Sequence, residues 1–336
     1  MRIWYDITNT PQVHFLLAID RIIREMDPSL QATYTARDFS ETSTMLAKTI
    51  GKNGFITVGK HHGKSYSKKV VGLLSRFREI SRLDLNYDIS ISCGSECAIW
   101  ESFLKKRTSI AFGDNDQSRQ WTYAPFVNHA FFPKAISPNT LKKQGLNKKL
   151  YQYDGFKEDI YLAYYQPDKE FLKTLPFSNY VVVRPENIMA NYIRNGKVKS
   201  ITPNLLASLD KNGYNILYLP RYDMDKAYAS DIKNIYIPDQ PINGLDACYF
   251  SDAVLTGAGT FAREAACLGI PSFSFYAGKE LLAVDRELIK QEKMFFSRNI
   301  DEIVSKLKLS YRSEPDLKRC VSTKYEVASK LKEILF

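Results

Sequence analysis

Two shortages frame this sequence. It has five cysteines in 336 residues, an odd and scattered set (Cys93, Cys97, Cys248, Cys267, Cys320) in which Cys93 and Cys97 lack a second Cys or His pair nearby to complete a zinc site. Neither a disulfide framework nor a structural zinc is expected, and reduced thiols are. No stretch reaches the roughly 20 apolar residues needed to cross a bilayer, so a soluble chain is expected. There is no internal repeat, low-complexity tract, helix-turn-helix, zinc finger or RNP-type aromatic motif, which leaves nucleic acid without a reader. Met1-Arg2-Ile3-Trp4-Tyr5-Asp6-Ile7 reads as a buried strand, without the basic start, apolar stretch and cleavage site of a signal peptide. A cytoplasmic protein is expected.

The apolar share of 44% and charged share of 25% are globular averages, and the length suits two domains of about 150 residues each. Lys and Arg number 47 against 37 Asp and Glu, a formal excess of 10. Such an excess favours nucleotides, phosphorylated lipids, a membrane surface or nucleic acid as partners, and equally fits a lysine-rich solvated surface.

Short β-branched or aromatic runs alternate with longer amphipathic stretches, as in βαβ units with parallel sheets. Strands are predicted at 2–7, 31–36, 54–58, 87–92, 108–112, 129–133 and 150–154, with helices over 13–26 and 70–83. A second series is predicted at 180–183, 215–219, 234–237, 253–255 and 272–275. Between the two series, residues 154–168 have the Gly, Pro and charge content of a connector. The expected division is an N-terminal domain at 1–155, a C-terminal domain at 156–317 and a helix at 318–336 that can cross back to the first domain.

The strongest motif is Ser251-Asp252-Ala253-Val254-Leu255-Thr256-Gly257-Ala258-Gly259-Thr260-Phe261-Ala262-Arg263-Glu264-Ala265-Ala266-Cys267-Leu268-Gly269-Ile270-Pro271. A buried strand enters a turn of small residues, a helix follows, and Leu-Gly-Ile-Pro opens the next strand. Gly257 and Gly259 let the backbone approach a ligand, and unpaired amides at the helix start attract phosphate. Glu264, about one turn into that helix, is placed to accept hydrogen bonds from a ribose diol. The plainer alternative is a tight βα turn with a solvated helix charge.

This run resembles the donor-binding stretch of GT-B nucleotide-sugar enzymes, of which UDP-N-acetylglucosamine 2-epimerases and the lipid-linked muropeptide N-acetylglucosaminyltransferase carry versions. The resemblance implies that Thr256, Gly257, Ala258, Gly259 and Thr260 hold the diphosphate and Glu264 the ribose. The chain as a whole is more similar to the domain-of-unknown-function family 354. The segments that carry this are residues 3–15, Thr35-Ala36-Arg37-Asp38-Phe39, Gly59-Lys60-His61, Gly155-Phe156-Lys157-Glu158-Asp159, Val182-Val183-Arg184-Pro185-Glu186 and the Gly-Ala-Gly-Thr run. The implied fold is α/β and GT-B-like, two Rossmann-type parallel-sheet domains facing each other across a cleft. Fold analogy does not settle the chemistry.

Against the epimerase motif His-Arg-Arg-Glu-Asn, the catalytic histidine falls on Val183 of Val183-Arg184-Pro185-Glu186-Asn187. Likewise Ser95 of Cys93-Gly94-Ser95-Glu96 stands on the position of a catalytic aspartate. Epimerisation by that route loses two proton-transferring groups. Arg184, at a strand end, is a candidate for the donor diphosphate, or alternatively for a salt bridge to Glu186. His14, at the start of the first helix, is a candidate general base, the alternative being local capping or packing beside an Asn9-Thr10-Pro11 helix entry. Asp114 in Gly113-Asp114-Asn115-Asp116 is a second candidate base, or part of an ordinary turn.

The basic run Lys60-His61-His62-Gly63-Lys64-Ser65-Tyr66-Ser67-Lys68-Lys69 precedes an apolar helix and can touch anionic lipid or a phosphorylated acceptor, or be a solvated loop. His61-His62 lacks the further ligand a metal needs. The function expected is an inverting, metal-independent glycosyltransferase, with a nucleotide sugar as donor substrate and no cofactor. The alternatives are a nucleotide-sugar epimerase or hydrolase and a catalytically silent nucleotide-sugar-binding subunit.

Overall fold

The computed structural model describes residues 1–38, 42–60, 66–147, 150–186, 199–314 and 317–336. Residues 61–65 of the basic run, together with Phe39 and Asn187, lie outside the described residues. The chain forms two compact units, Met1–Tyr164 with Lys318–Phe336, and Tyr165–Leu317.

The first unit runs β1 (Arg2–Ile7), α1 (Gln12–Met26), β2 (Gln31–Asp38), α2 (Thr42–Ile50), β3 (Ile56–Lys60), α3 (Tyr66–Arg82), β4 (Ile89–Ser92), α4 (Glu96–Leu104), β5 (Thr108–Phe112), β6 (His129–Pro133), α5 (Pro138–Lys143), β7 (Leu150–Tyr153) and α6 (Lys157–Leu162). Its seven strands lie in the order β3-β2-β1-β4-β5-β6-β7, all parallel. Ile3, Trp4, Tyr5 and Ile7 are all buried, so β1 reads as a continuous apolar run because helices cover both faces of the sheet.

The second unit runs β8 (Val181–Arg184), α7 (Thr202–Lys211), β9 (Ile216–Tyr218), β10 (Ile235–Tyr236), α8 (Gly244–Tyr249), β11 (Ala253–Thr256), α9 (Gly259–Cys267), β12 (Ser272–Ser274), α10 (Ala283–Lys290), β13 (Met294–Phe296) and α11 (Ile300–Lys308). Its six strands lie in the order β10-β9-β8-β11-β12-β13, again all parallel. The sequence pattern missed β13: the strand has three residues, and its neighbours Gln291-Glu292-Lys293 carry no alternation. The predicted strand at 54–58 begins instead at Ile56. A Cβ on Gly54 would lie 2.3 Å from the Ile50 carbonyl oxygen, so the residue serves the turn after α2.

The last helix, α12 (Leu317–Leu335), packs from Lys318 onward on the first unit. The Arg319 guanidinium meets the buried Asp159 carboxylate at 2.7 Å, and the Thr323 hydroxyl donates to the Asp154 carbonyl at 2.8 Å. Gly155 has φ +97, and a Cβ there would stand 2.3 Å from Thr323 Oγ1. Both the conformation and the approach of α12 require glycine.

In each unit the chain winds outward through three strands and returns to the other side of the first, at the β1/β4 pair and the β8/β11 pair. The helices after those strands depart in opposite directions and open a crevice at the carboxyl ends. In the first unit this point is braced by a buried polar network. The Asp6 carboxylate, fully buried, accepts from both terminal nitrogens of Arg76 at 3.0 and 2.5 Å, from Thr35 at 2.6 Å and from Ser95 at 2.5 Å. Trp4 donates to Thr35 at 2.8 Å, and Arg76 Nε to the Val58 carbonyl at 3.1 Å. Burial pushes the Asp6 pKa up, but Arg76, Ser95 and Thr35 outweigh it and hold the group below its ordinary value.

Removing one partner of such a pair leaves a buried charge uncompensated. Arg76→Leu is expected to cost about 3 to 5 kcal/mol in urea unfolding. Because the Asp6 pKa is depressed in the fold, its contribution is present above the unfolded carboxylate pKa and is lost as pH falls through the folded value. A loss below about 1 kcal/mol, the size of an exposed ion pair, would show that the network does not brace the unit.

Candidate functional site

In the second unit β11 lies against β8 with Thr256 opposite Arg184, and the Gly257 amide donates to the Arg184 carbonyl at 3.1 Å. The chain then turns: the buried Thr256 side chain accepts from the Ala258 amide at 2.9 Å, and α9 begins at Gly259. Ala258 stands at the N-cap in extended conformation, no side chain caps the helix, and its first turn holds no acid. The helix start is half-exposed at Ala258, Gly259 and Thr260, and the N-cap residue supplies no side chain to answer its partial positive charge.

The two glycines have different reasons. A Cβ on Gly257 would lie 2.5 Å from Glu186 Cα, so this position is fixed by the backbone of the neighbouring strand end. A Cβ on Gly259 would meet first the Arg263 guanidinium, at 3.2 Å, a movable side chain. Gly259 is thus less constrained by packing than Gly257.

Arg184 is half-buried, its guanidinium carbon 5.6 Å from the centre of the Phe261 ring in the first turn of α9. Glu186, named above as an alternative partner for Arg184, is 3% exposed. It accepts from Ser200 at 2.6 Å, the Ile201 amide at 3.0 Å and Thr202 at 2.8 Å, and it pairs with Arg298 at 3.1 Å. Its work is to anchor the start of α7 and the loop after β13. On α9, Arg263 is buried in a pair with Asp285 of α10 at 3.1 Å, whereas Glu264 is half-exposed. Burial drives the Cys248 thiol well above its ordinary pKa, with Glu264 adding to the rise and Arg184 opposing it.

In the first unit, His14 is the third residue of α1 and half-buried, its ring 6.0 Å from that of Tyr161 and inclined by 26°. Burial lowers its pKa, which keeps the imidazole neutral at pH 7. No side chain caps α1, and Pro11 occupies the N-cap. Gln12 fixes the entry instead, accepting from the Thr8 amide at 2.8 Å. Asp114, past the end of β5, forms an ion pair with Lys157 at 2.6 Å, the two side chains being 17% and 7% exposed. Lys157 and Tyr161 are one turn apart on α6, so one face of that helix gathers Asp114 and His14.

Ser95 is buried, caps α4 by accepting from the Ala98 amide and donates to Asp6. Val183 is fully buried within β8. Neither presents a group that moves a proton.

The sequence pattern missed several participants. Lys157, Glu158 and Asp159 are 6%, 1% and 0% exposed, although their charge content reads as that of a connector. Burial pushes the Cys93 thiol up to about 12, Lys157 opposing and Asp114 adding to the shift. Tyr153 at the end of β7 is buried with its hydroxyl unpartnered, and its pKa is raised by burial and then by Asp114, Glu158, Asp159 and Cys93. The available signal was position: Cys93, Asp114 and Tyr153 each stand at or just past a strand's carboxyl end.

With four histidines in the chain, His14 can be followed by proton-carbon NMR. It is expected to titrate below the ordinary 6.5, and a midpoint at or above that value would contradict its packing against Tyr161.

Comparison with known proteins agrees with this architecture. An uncharacterized protein of Methanocaldococcus jannaschii is 27% identical over 325 residues, covering 90% of this chain and 89% of the relative. Among solved structures, the Methanocaldococcus jannaschii UDP-GlcNAc 2-epimerase in complex with UDP-GlcNAc and UDP aligns with a TM-score of 0.71 at 13% identity, over 100% of this chain and 99% of the other. The calicheamicin glycosyltransferase CalG4 aligns with a TM-score of 0.54 at 12% identity, over 99% and 98% of the two chains. At such identities these likenesses establish the fold, two Rossmann-like parallel-sheet domains of the GT-B type. The family described as "Protein of unknown function (DUF354)" matches residues 1–331, and the chain belongs to that family.

Proposed function

We propose that the protein is a GT-B-type glycosyltransferase that moves a sugar from a UDP-sugar to a glycan or lipid-linked acceptor in the cytoplasm, at the membrane surface where the acceptor is lipid-linked. The observation that carries the donor half is the uncapped start of α9, with Arg184 beside its first turn and Glu264 half-exposed one turn on. Amides of Gly259 and Thr260 and the Arg184 guanidinium would hold the diphosphate, and Glu264 the ribose diol.

The reaction is displacement at the sugar C1. The acceptor oxygen forms the new bond to C1 while its proton passes to a ring nitrogen of His14. The bond from C1 to the diphosphate oxygen breaks, its electron pair leaves with UDP, and the configuration at C1 inverts. Charge grows on the departing diphosphate, where fixed helix amides and Arg184 stabilise it more than the ground state. His14 suits the base role because its burial keeps it neutral. Asp114, engaged by Lys157, suits orienting the acceptor hydroxyl.

Val183 within β8 and Ser95 in its capping role weigh against epimerisation or hydrolysis of the donor. UDP-N-acetylglucosamine is expected to raise the melting temperature, as a ligand selective for the native state does, yet to survive incubation without acceptor. Chromatographic detection of the manno epimer or free UDP, at an enzymatic rate, would replace the transferase with an epimerase or hydrolase.

A further inference from the structure

Helix α3 carries two apolar faces where its fold needs one. Leu73, Phe77 and Ile80 pack with Trp4, Val58, Tyr87, Cys97 and Ala98 in the core on one side of the sheet. On another face Val70, Val71 and Leu74 are 40%, 61% and 56% exposed. Residues three and four apart are neighbours on a helix, so these three form one contiguous patch. Lys68 lies one turn before Val71, Arg78 one turn after Leu74, and Arg82 one turn further, all exposed. The acid on this helix, Glu79, is engaged by the Gly59 amide at 3.1 Å and Ser75 at 3.0 Å.

We propose that this face of α3 docks the first unit on an anionic lipid bilayer, with Val70, Val71 and Leu74 entering the headgroup boundary and Lys68, Arg78 and Arg82 meeting lipid phosphates. Exposed aliphatic side chains flanked by cations match that surface in both respects: apolar area drives entry, and each cation adds Coulomb attraction to a negative leaflet. Among the described residues no helix is long and apolar enough to span a membrane, so the contact is peripheral.

Position links this face to the acceptor. Helix α3 follows β3 and returns to the start of β4, so its first half lies toward the carboxyl ends of the strands. His14 and Asp114 stand just past the ends of β1 and β5, on that same edge of the unit. An acceptor anchored in the bilayer would bring its polar head to them. This link rests on the sugar-transfer reading, whereas the docking surface itself does not.

The test is co-sedimentation with vesicles of phosphatidylcholine containing phosphatidylglycerol, against phosphatidylcholine alone, with UDP affinity measured in parallel. The wild-type chain is expected to bind the anionic vesicles and to release as salt rises. Val71→Glu with Leu74→Glu is expected to weaken binding at least about tenfold, and Lys68→Gln with Arg78→Gln about 25-fold, at about fivefold per cation. Both pairs should leave the melting temperature and UDP affinity unchanged. Absence of vesicle binding, equal binding to the neutral vesicles, binding indifferent to both pairs, or a dimer that Val71→Glu dissociates would each overturn the docking surface while leaving the sugar-transfer reading standing. Failure of UDP to bind would remove that reading and leave the surface intact.

Discussion

Everything the second unit can offer a ligand follows from one strand pairing. When β11 pairs in parallel with β8, Thr256 comes opposite Arg184, and the chain must leave the sheet directly beside Pro185 and Glu186. There is no room for a side chain at the exit, since a Cβ on Gly257 would press to 2.5 Å on Glu186 Cα. The turn is consequently short, α9 begins after Ala258, which has no side chain to cap it, and Arg184 lies over Phe261 in the first turn. The short turn is the consequence of a packing constraint, and Glu186 is held in place by four donors, Ser200, Ile201, Thr202 and Arg298, so that the constraint does not relax.

The first unit solves the same topological problem with charge. Its reversal between β1 and β4 is pinned by Asp6, which ties β1, β2, α3 and the cap of α4 through Arg76, Thr35 and Ser95. Further along the edge, α6 presents Lys157 to Asp114 and Tyr161 to His14. The cost of burying Lys157, Glu158 and Asp159 together is large enough that packing alone gives no reason for them. Asp159 is accounted for by Arg319 and the seating of α12, and Lys157 by Asp114.

Much of this was legible in the sequence because parallel strands buried on both faces are continuous apolar runs. The strands at 2–7, 108–112 and 129–133 agree with the structure to the residue. Strand β13 was illegible because Met294-Phe295-Phe296 directly follows the polar, charged Gln291-Glu292-Lys293 and extends into no longer apolar run, and the Arg298 clamp depends on that strand. The turn from Thr256 to Thr260 was recognised, but one of its reasons was not: sequence reasoning gave Gly257 to ligand approach, and the structure shows Glu186 demanding it. Charges in Gly155 to Asp159 read as part of a connector because burial of an ion depends on partners distant in sequence, Asp114 and Arg319, that no local pattern reveals.

The central claim is that α9 and its surroundings form a nucleotide site with Glu264 on the ribose, and calorimetric titration of UDP into the wild-type chain and Glu264→Ala tests it most directly. The account predicts measurable UDP binding that the substitution weakens by about 1.5 to 3 kcal/mol, the range for a hydrogen bond to a charged group. Unchanged affinity in a folded Glu264→Ala protein, or no UDP binding by the wild-type chain, would contradict it.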